Sequence, residues 1–153
     1  MGEYYNNTYG TDVRSIRFPG IISSKTLPGG GTTDYAVSIF YSLIKKEVFK
    51  CFLNKETKLP MIYIEDALRS IMMLMKADKN NLRIKSSYNL SAFSFTPNEL
   101  YLNLQKRFKN FKILYKSDYR QKIADSWPNN INDNYSRKDW GWKPKYSFDE
   151  MVE

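Results

Sequence analysis

Apolar residues recur along the chain with two periods. Val13-Arg14-Ser15-Ile16-Arg17-Phe18 alternates apolar and polar positions, the period of a half-buried strand, and Pro19-Gly20 predicts its end. From Ala36 the period lengthens. Ala36, Val37, Phe40, Leu43 and Ile44 fall on one face of a helix expected over about 34–46, capped by Thr32 or Thr33. Phe49–Leu53 and Pro60–Ile64 read as two short strands joined by the polar turn 54–58. A strongly apolar helix is predicted over Asp66–Lys76, with its methionines as core filling. Tyr88–Leu90 and Lys112–Tyr115 are further strand candidates. Thr96-Pro97-Asn98-Glu99 is a capping box with proline at the first helical position, which predicts a helix to about Phe108. Residues 118–125 and 137–140 give two short helical pieces, the second stopped by Gly141. Gly2–Tyr9 reads as the end of a helix closed by Gly10, and Phe148 starts another. Strands and helices alternate, so the expected class is α/β. Both ends fall within helices, which gives the expectation of a longer protein.

Composition narrows the picture. A chain of 153 residues with 42% hydrophobic and 16% aromatic residues suits one globular domain. No run approaches the ~18 apolar residues of a membrane span, and residues 1–6 do not resemble a signal peptide. No membrane partner is expected. The net charge of +8 comes from lysines scattered along the chain and not gathered on one block, so no nucleic-acid partner is expected either. Cys51 is the only cysteine and histidine is absent, which removes an internal disulfide, histidine-dependent nucleophile schemes and the usual metal-ligand spacings. Cys51 reads as a small strand residue, and a reducing, cytoplasmic location fits.

The richest candidate chemistry lies in Pro28-Gly29-Gly30-Gly31-Thr32-Thr33-Asp34-Tyr35. Three glycines let backbone amides approach a ligand, and two hydroxyls follow where a helix begins, so a small anion has donors there. The plain alternative is a loop with a helix cap. No G-x-G-x-x-G follows a strand and there is no Walker sequence, so phosphate cradles of those types are unsupported. Asp66 opens a helix, where a carboxylate complements the dipole more readily than it catalyses, and Arg69 stands one turn on to pair with it or reach an anion. Trp127, in Ser126-Trp127-Pro128, is either a core wedge or an aromatic wall over a ligand, and Trp140 and Trp142 read as packing. Asp133 and Asp139 have no apolar setting in the sequence and are expected to be solvated.

Several stretches together resemble a known family: Arg17-Phe18-Pro19-Gly20-Ile21-Ile22-Ser23, Pro28 to Val37, Leu59 to Ile64, Asp66-Ala67-Leu68, Tyr88-Asn89-Leu90-Ser91-Ala92, Ser126-Trp127-Pro128 and Arg137 to Trp142. They are similar to the C-terminal half of the extended short-chain dehydrogenase/reductase (epimerase/dehydratase) family, which has a Rossmann-like fold. The Gly-Gly-Gly-Thr-Thr-Asp-Tyr and Ser-Trp-Pro stretches resemble the branch that oxidises L-threonine to 2-amino-3-oxobutyrate with NAD. The resemblance implies that residues 1–50 are the end of the dinucleotide-binding core with a substrate loop, and that 51–153 are mostly a substrate-binding subdomain. It implies NAD contacts at Pro19, Gly20 and Ile21, and substrate contacts at Gly31, Thr32, Thr33, Asp34 and Trp127. The family's catalytic serine and Tyr-x-x-x-Lys belong before residue 1, so no catalytic residue and no metal site is assigned, and the chain alone is expected to be inactive. The implied partners are L-threonine and either a separate N-terminal half or a second copy. In a eukaryotic source the implied location is mitochondrial. A nucleotide-sugar epimerase or dehydratase, or a non-catalytic remnant acting as an interaction module, is the alternative.

Overall fold

Three parallel strand pairs and one antiparallel pair organise the computed structural model, which describes residues 1–153. Helix α1 (Gly2–Tyr9) ends at Gly10, whose φ of 65° is the left-handed cap that glycine adopts without strain. Strand β1 (Ile16–Arg17) pairs in parallel with β5 (Tyr88–Asn89). Strand β2 (Gly20–Ile22) pairs in parallel with β4 (Leu59–Tyr63), and β4 pairs antiparallel with β6 (Phe93–Phe95) on its other side. Strand β3 (Phe49–Cys51) pairs in parallel with β7 (Ile113–Tyr115). The helices are α2 (Tyr35–Ile44), entered through a 3-10 turn at Thr32–Asp34, α3 (Ile64–Lys76), α4 (Pro97–Arg107), α5 (Arg120–Asp125), α6 (Asn134–Trp140) and α7 (Phe148–Val152). The class is α/β, as the alternation predicts.

A second strand follows the Pro19-Gly20 step where a loop is expected. The segment changes partner instead: up to Arg17 it bonds to β5, and from Gly20 it bonds to β4. Pro19 has no N–H to offer a ladder, so the switch falls where a donor is missing in any case. Phe49–Cys51 and Leu59–Tyr63 do not pair with each other across the 54–58 turn; each finds a strand far away in the sequence.

Strand β4 divides two cores by its pleat. Leu59 and Met61 face one, with Ile22, Tyr35, Ile39, Phe49, Phe95 and Leu100. Ile62 faces the other, with Leu74, Tyr88, Leu90, Trp140 and Trp142. Ile16 and Phe18 pack on the second core, so both cores draw on residues from either side of position 50.

Helix α3 corrects the methionine expectation. Its buried face is Ala67, Ser70 and Leu74, while Leu68, Ile71, Met72 and Met75 point outward, Met75 with 65% of its surface exposed. The rotation is set at the first turn. Buried Asp66 accepts backbone N–H bonds from Lys145 (2.8 and 3.0 Å) and Tyr146 (3.0 Å), and also pairs with Arg69 at 2.8 Å. That anchor turns the small residues inward. No helix is long and apolar enough to cross a membrane.

Candidate functional site

The turn from β1 into β2 runs along one wall of a cleft of about 700 Å³. Arg17 to Ile21 form that wall, Thr33 and Pro60 contribute from neighbouring elements, Asn89 from β5, and the loop carrying Trp127, Pro128 and Asn130 to Asn132 faces it. The wall is built by the partner switch: parallel register brings Arg17 level with Asn89, and Gly20 level with Met61. Gly20 has to be glycine here. A Cβ would lie 2.5 Å from the Met61 sulfur and 2.7 Å from the Thr33 methyl, so the missing side chain is what lets Thr33 settle against the strand.

Of the residues implied by the resemblance, Pro19, Gly20, Ile21, Thr33 and Trp127 come together around this cleft. Trp127 is 41% exposed and lines the cleft, so it is not a core wedge. Thr32, Gly31 and Asp34 do not line the cleft. Thr32 is 8% exposed at the start of the 3-10 turn. Asp34 turns back and accepts hydrogen bonds from the Gly30 and Gly31 amides at 2.7 and 2.8 Å. The anion site expected from the glycine run is therefore filled by the chain's own carboxylate. The same bonds do the capping expected of Thr32 or Thr33, since no threonine side chain caps this helix start.

Other candidates resolve into structure. Asp66 is wholly buried and fully engaged with the 145–146 backbone and Arg69, which also stacks on Trp142 with its guanidinium carbon 5.1 Å from the ring. Asp133 and Asp139 are buried, against the expectation of solvated carboxylates. Asp139 accepts from the Arg83 guanidinium and from the Tyr88 hydroxyl at 2.7 Å, and Asp133 pairs with Arg137 at 2.8 Å. Burial alone would raise the Asp139 carboxyl, but the bonds from Arg83 and Tyr88 outweigh it and hold the group below the ordinary carboxylate range. Burial pushes the Tyr88 hydroxyl up to about 12. Cys51 is buried and its thiol is pushed up to about 11 by burial, which keeps it an inert thiol at neutral pH.

Sequence reasoning missed Arg17 and Asn89 as cleft residues. Their side chains meet at 2.8 Å only because β1 and β5 pair in register, and no local pattern announces a pairing across 72 residues. The spacing Tyr-x-x-x-Lys does occur, at Tyr41 and Lys45 on and just past α2, but neither residue lines the cleft.

No protein-family model matches the chain. Similar proteins are clear. The chain is 49% identical over 153 residues to bovine "L-threonine 3-dehydrogenase, mitochondrial", covering 99% of itself and 41% of that protein. It is 46% identical over 152 residues to an uncharacterized epimerase/dehydratase of Staphylococcus haemolyticus, covering 48% of it. Among solved structures, the GalE-like L-threonine dehydrogenase from Cupriavidus necator superposes with a TM-score of 0.95 at 47% identity, over 97% of this chain and 54% of that one. The chain thus spans about half the length of the curated relatives it matches. Fold and sequence together match the chain to the C-terminal portion of GalE-like, extended short-chain dehydrogenases/reductases. Within that class, the sequence corresponds to the C-terminal part of the L-threonine 3-dehydrogenases.

Proposed function

We propose that the chain is the substrate-binding portion of an NAD-dependent L-threonine 3-dehydrogenase. The observation that carries this reading is the cleft, where Pro19, Gly20 and Ile21 stand beside Thr33 and Trp127. In this reading the backbone at Pro19–Ile21 receives the nicotinamide end of NAD, and the dinucleotide supplies the hydride acceptor. The Thr33 hydroxyl donates to the substrate and Trp127 closes the pocket over it. Thr32, Gly31 and Asp34 act from behind, by holding the loop that presents Thr33. Residues 1–50 supply the end of the dinucleotide core and this loop, and 51–153 supply most of the substrate side. No tyrosine or lysine lines the cleft, so the proton-abstracting pair comes from the other half of such an enzyme, and the chain by itself does not oxidise threonine. A diphosphate sugar substrate fits less well, since the cleft offers a single charged side chain.

The test is a graft. The chain replaces the corresponding half of the Cupriavidus necator enzyme, and NAD reduction by L-threonine is followed. The chimera is expected to be active. Thr33→Ala and Trp127→Ala in it are each expected to lower kcat/KM by ~10-fold, the loss that goes with one good contact. A folded chimera that reduces no NAD with L-threonine would sink the reading.

A further inference from the structure

Parallel strands β3 and β7 begin side by side, and the two segments that feed them leave a second cleft of about 800 Å³. One wall is the end of α2 with residues 46–48, and the other is the end of α4 with residues 108–112. Backbone bonds fix both walls. The Lys46 amide donates to the Leu43 carbonyl at 3.0 Å and the Glu47 amide to the Ser42 carbonyl at 2.9 Å, the two bonds of a Schellman turn. The Phe111 amide donates to the Phe108 carbonyl at 2.9 Å. The Phe49 amide donates to the Lys112 carbonyl at 3.0 Å and ties one wall to the other. This cleft shares no residue with the one that Trp127 lines. It also lies at the amino ends of its strands, whereas open α/β folds bind substrates and dinucleotides beyond the carboxyl ends.

The lining joins two features. Phe111 is buried and Leu43 half-buried, but Ile44, Val48 and Phe108 are exposed, Ile44 by 76%. Lys46, Lys109 and Lys112 stand around these apolar groups, and none of the chain's ion pairs involves them. Arg107 is neutralised by Glu153, which leaves Glu47 as the one carboxylate of the lining. Ordinary surface chemistry accounts for part of this, since a cation at a helix C-terminus complements the dipole and Lys46 stands there. It does not account for Lys109 and Lys112, which lie past the end of α4, or for three exposed apolar side chains in a concave site. Lys46 adds a further point. Its φ of 58° is the left-handed position of the Schellman turn, where glycine is usual, and a lysine holds it instead.

Charge and concavity together select the occupant. A second copy docked about a two-fold axis would set lysines against lysines. A bilayer is flat and takes up apolar groups from a convex edge, not from between two walls. A peptide segment can send a side chain into the cleft and keep its carboxylates at the rim. We propose that the cleft between the ends of α2 and α4 docks a short acidic segment of another protein. An apolar side chain of that segment enters between Ile44, Val48 and Phe108, and its carboxylates meet Lys46, Lys109 and Lys112. This docking is independent of the threonine reading.

The experiment is fluorescence anisotropy of a labelled peptide, Asp-Glu-Leu-Phe-Asp-Glu, titrated with the full chain. Saturable binding is expected below ~1 mM. Asn-Gln-Leu-Phe-Asn-Gln, without charge, and Asp-Glu-Ser-Ser-Asp-Glu, without the apolar anchor, should each bind at least ~10-fold more weakly. Raising salt from ~50 to ~500 mM should weaken the acidic peptide's binding several-fold. Lys109→Glu combined with Lys112→Glu is expected to abolish binding, and Lys138→Glu, on α6, to leave it unchanged. Lys46→Gly separates binding from structure: it suits the turn, so the melting temperature should hold or rise while the peptide binds more weakly. Equal binding of the three peptides, or binding of none, would overturn the proposal. So would sedimentation of the chain with phosphatidylserine vesicles that the lysine substitutions abolish and the peptide does not compete, or a dimer that the lysine substitutions dissolve. The peptide comparison uses the unaltered chain, so a variant that fails to fold does not remove the test.

Discussion

At the scale of single residues, the Asp66 carboxylate accepts from two backbone amides of the 145–146 segment and from Arg69 while wholly buried. Asp66→Ala leaves those amides without an acceptor and Arg69 without its carboxylate, and the expected cost is about 3 kcal/mol, seen as a lower urea midpoint. Asp139 gives the chain an acid sensitivity. Its folded-state value lies below the ~3.9 of an unfolded aspartate, so the unfolded chain takes up its proton first as pH falls. The stability it contributes is therefore fully present above about pH 4 and is lost as pH drops through the folded value. Urea midpoints measured from pH 6 to pH 3 should fall at the acid end, and Asp139→Asn should flatten that fall. Gly20→Ala is expected to disturb Thr33 directly, because the added methyl occupies the space of the Thr33 side chain. These roles were unevenly legible. The sequence showed Asp66 at a helix start and Cys51 as a strand filler. It did not show the Asp139 network, because Arg83 and Tyr88 lie 56 and 51 residues away.

At the scale of elements, local signals are legible in the sequence and pairings are not. The Thr96 box is present in full: Thr96 accepts from the Glu99 amide at 3.1 Å, and Glu99 accepts from the Thr96 amide at 2.7 Å. Thr96→Ala should cost about 1 kcal/mol, measurable as a midpoint shift. The left-handed caps at Gly10 and Gly141 stand where the sequence puts them, with φ of 65° and 70°. Strands β2 and β6 are not legible because both are recruited by β4, whose partners no local pattern names. The Pro-Gly step reads as a stop because turn chemistry and a change of partner use the same residues. Helix α3 was legible as a helix, but its orientation was not, since that is fixed by Asp66 meeting a segment 79 residues on. Its outward stripe of Leu68, Ile71, Met72 and Met75 adds nothing to the cores. Ile71→Gln and Met72→Gln should change the stability of the chain by no more than about 0.5 kcal/mol.

At the scale of the whole molecule, the sheets contain two, three and two strands, and α1 buries none of its residues. Unpaired strand edges are what a longer sheet would pair, and the α3 stripe is exposed apolar surface. We expect the isolated 153-residue chain to melt below ~45 °C, under the usual range of mesophilic domains, and over a broad interval. Calorimetry decides this, and a sharp transition within the usual range would overturn it. Adding a polypeptide that carries the dinucleotide-binding half of a relative should raise and sharpen the transition. The α/β class was legible from alternation alone. The cleft was half legible: the Pro19–Ile21 wall, Thr33 and Trp127 were named from the sequence, whereas Arg17 and Asn89 required the parallel β1–β5 register. The switch of partners at Pro19 has a consequence for isotope exchange. One short segment, residues 16–22, is a ladder member for β5 at one end and for β4 at the other. An opening event that lifts this segment exposes both ladders at once. The Leu90 amide, bonded to the Arg17 carbonyl at 3.2 Å, should then swap its proton for deuterium in step with the β4 amides bonded to β2, two regions with separate cores keeping a common clock.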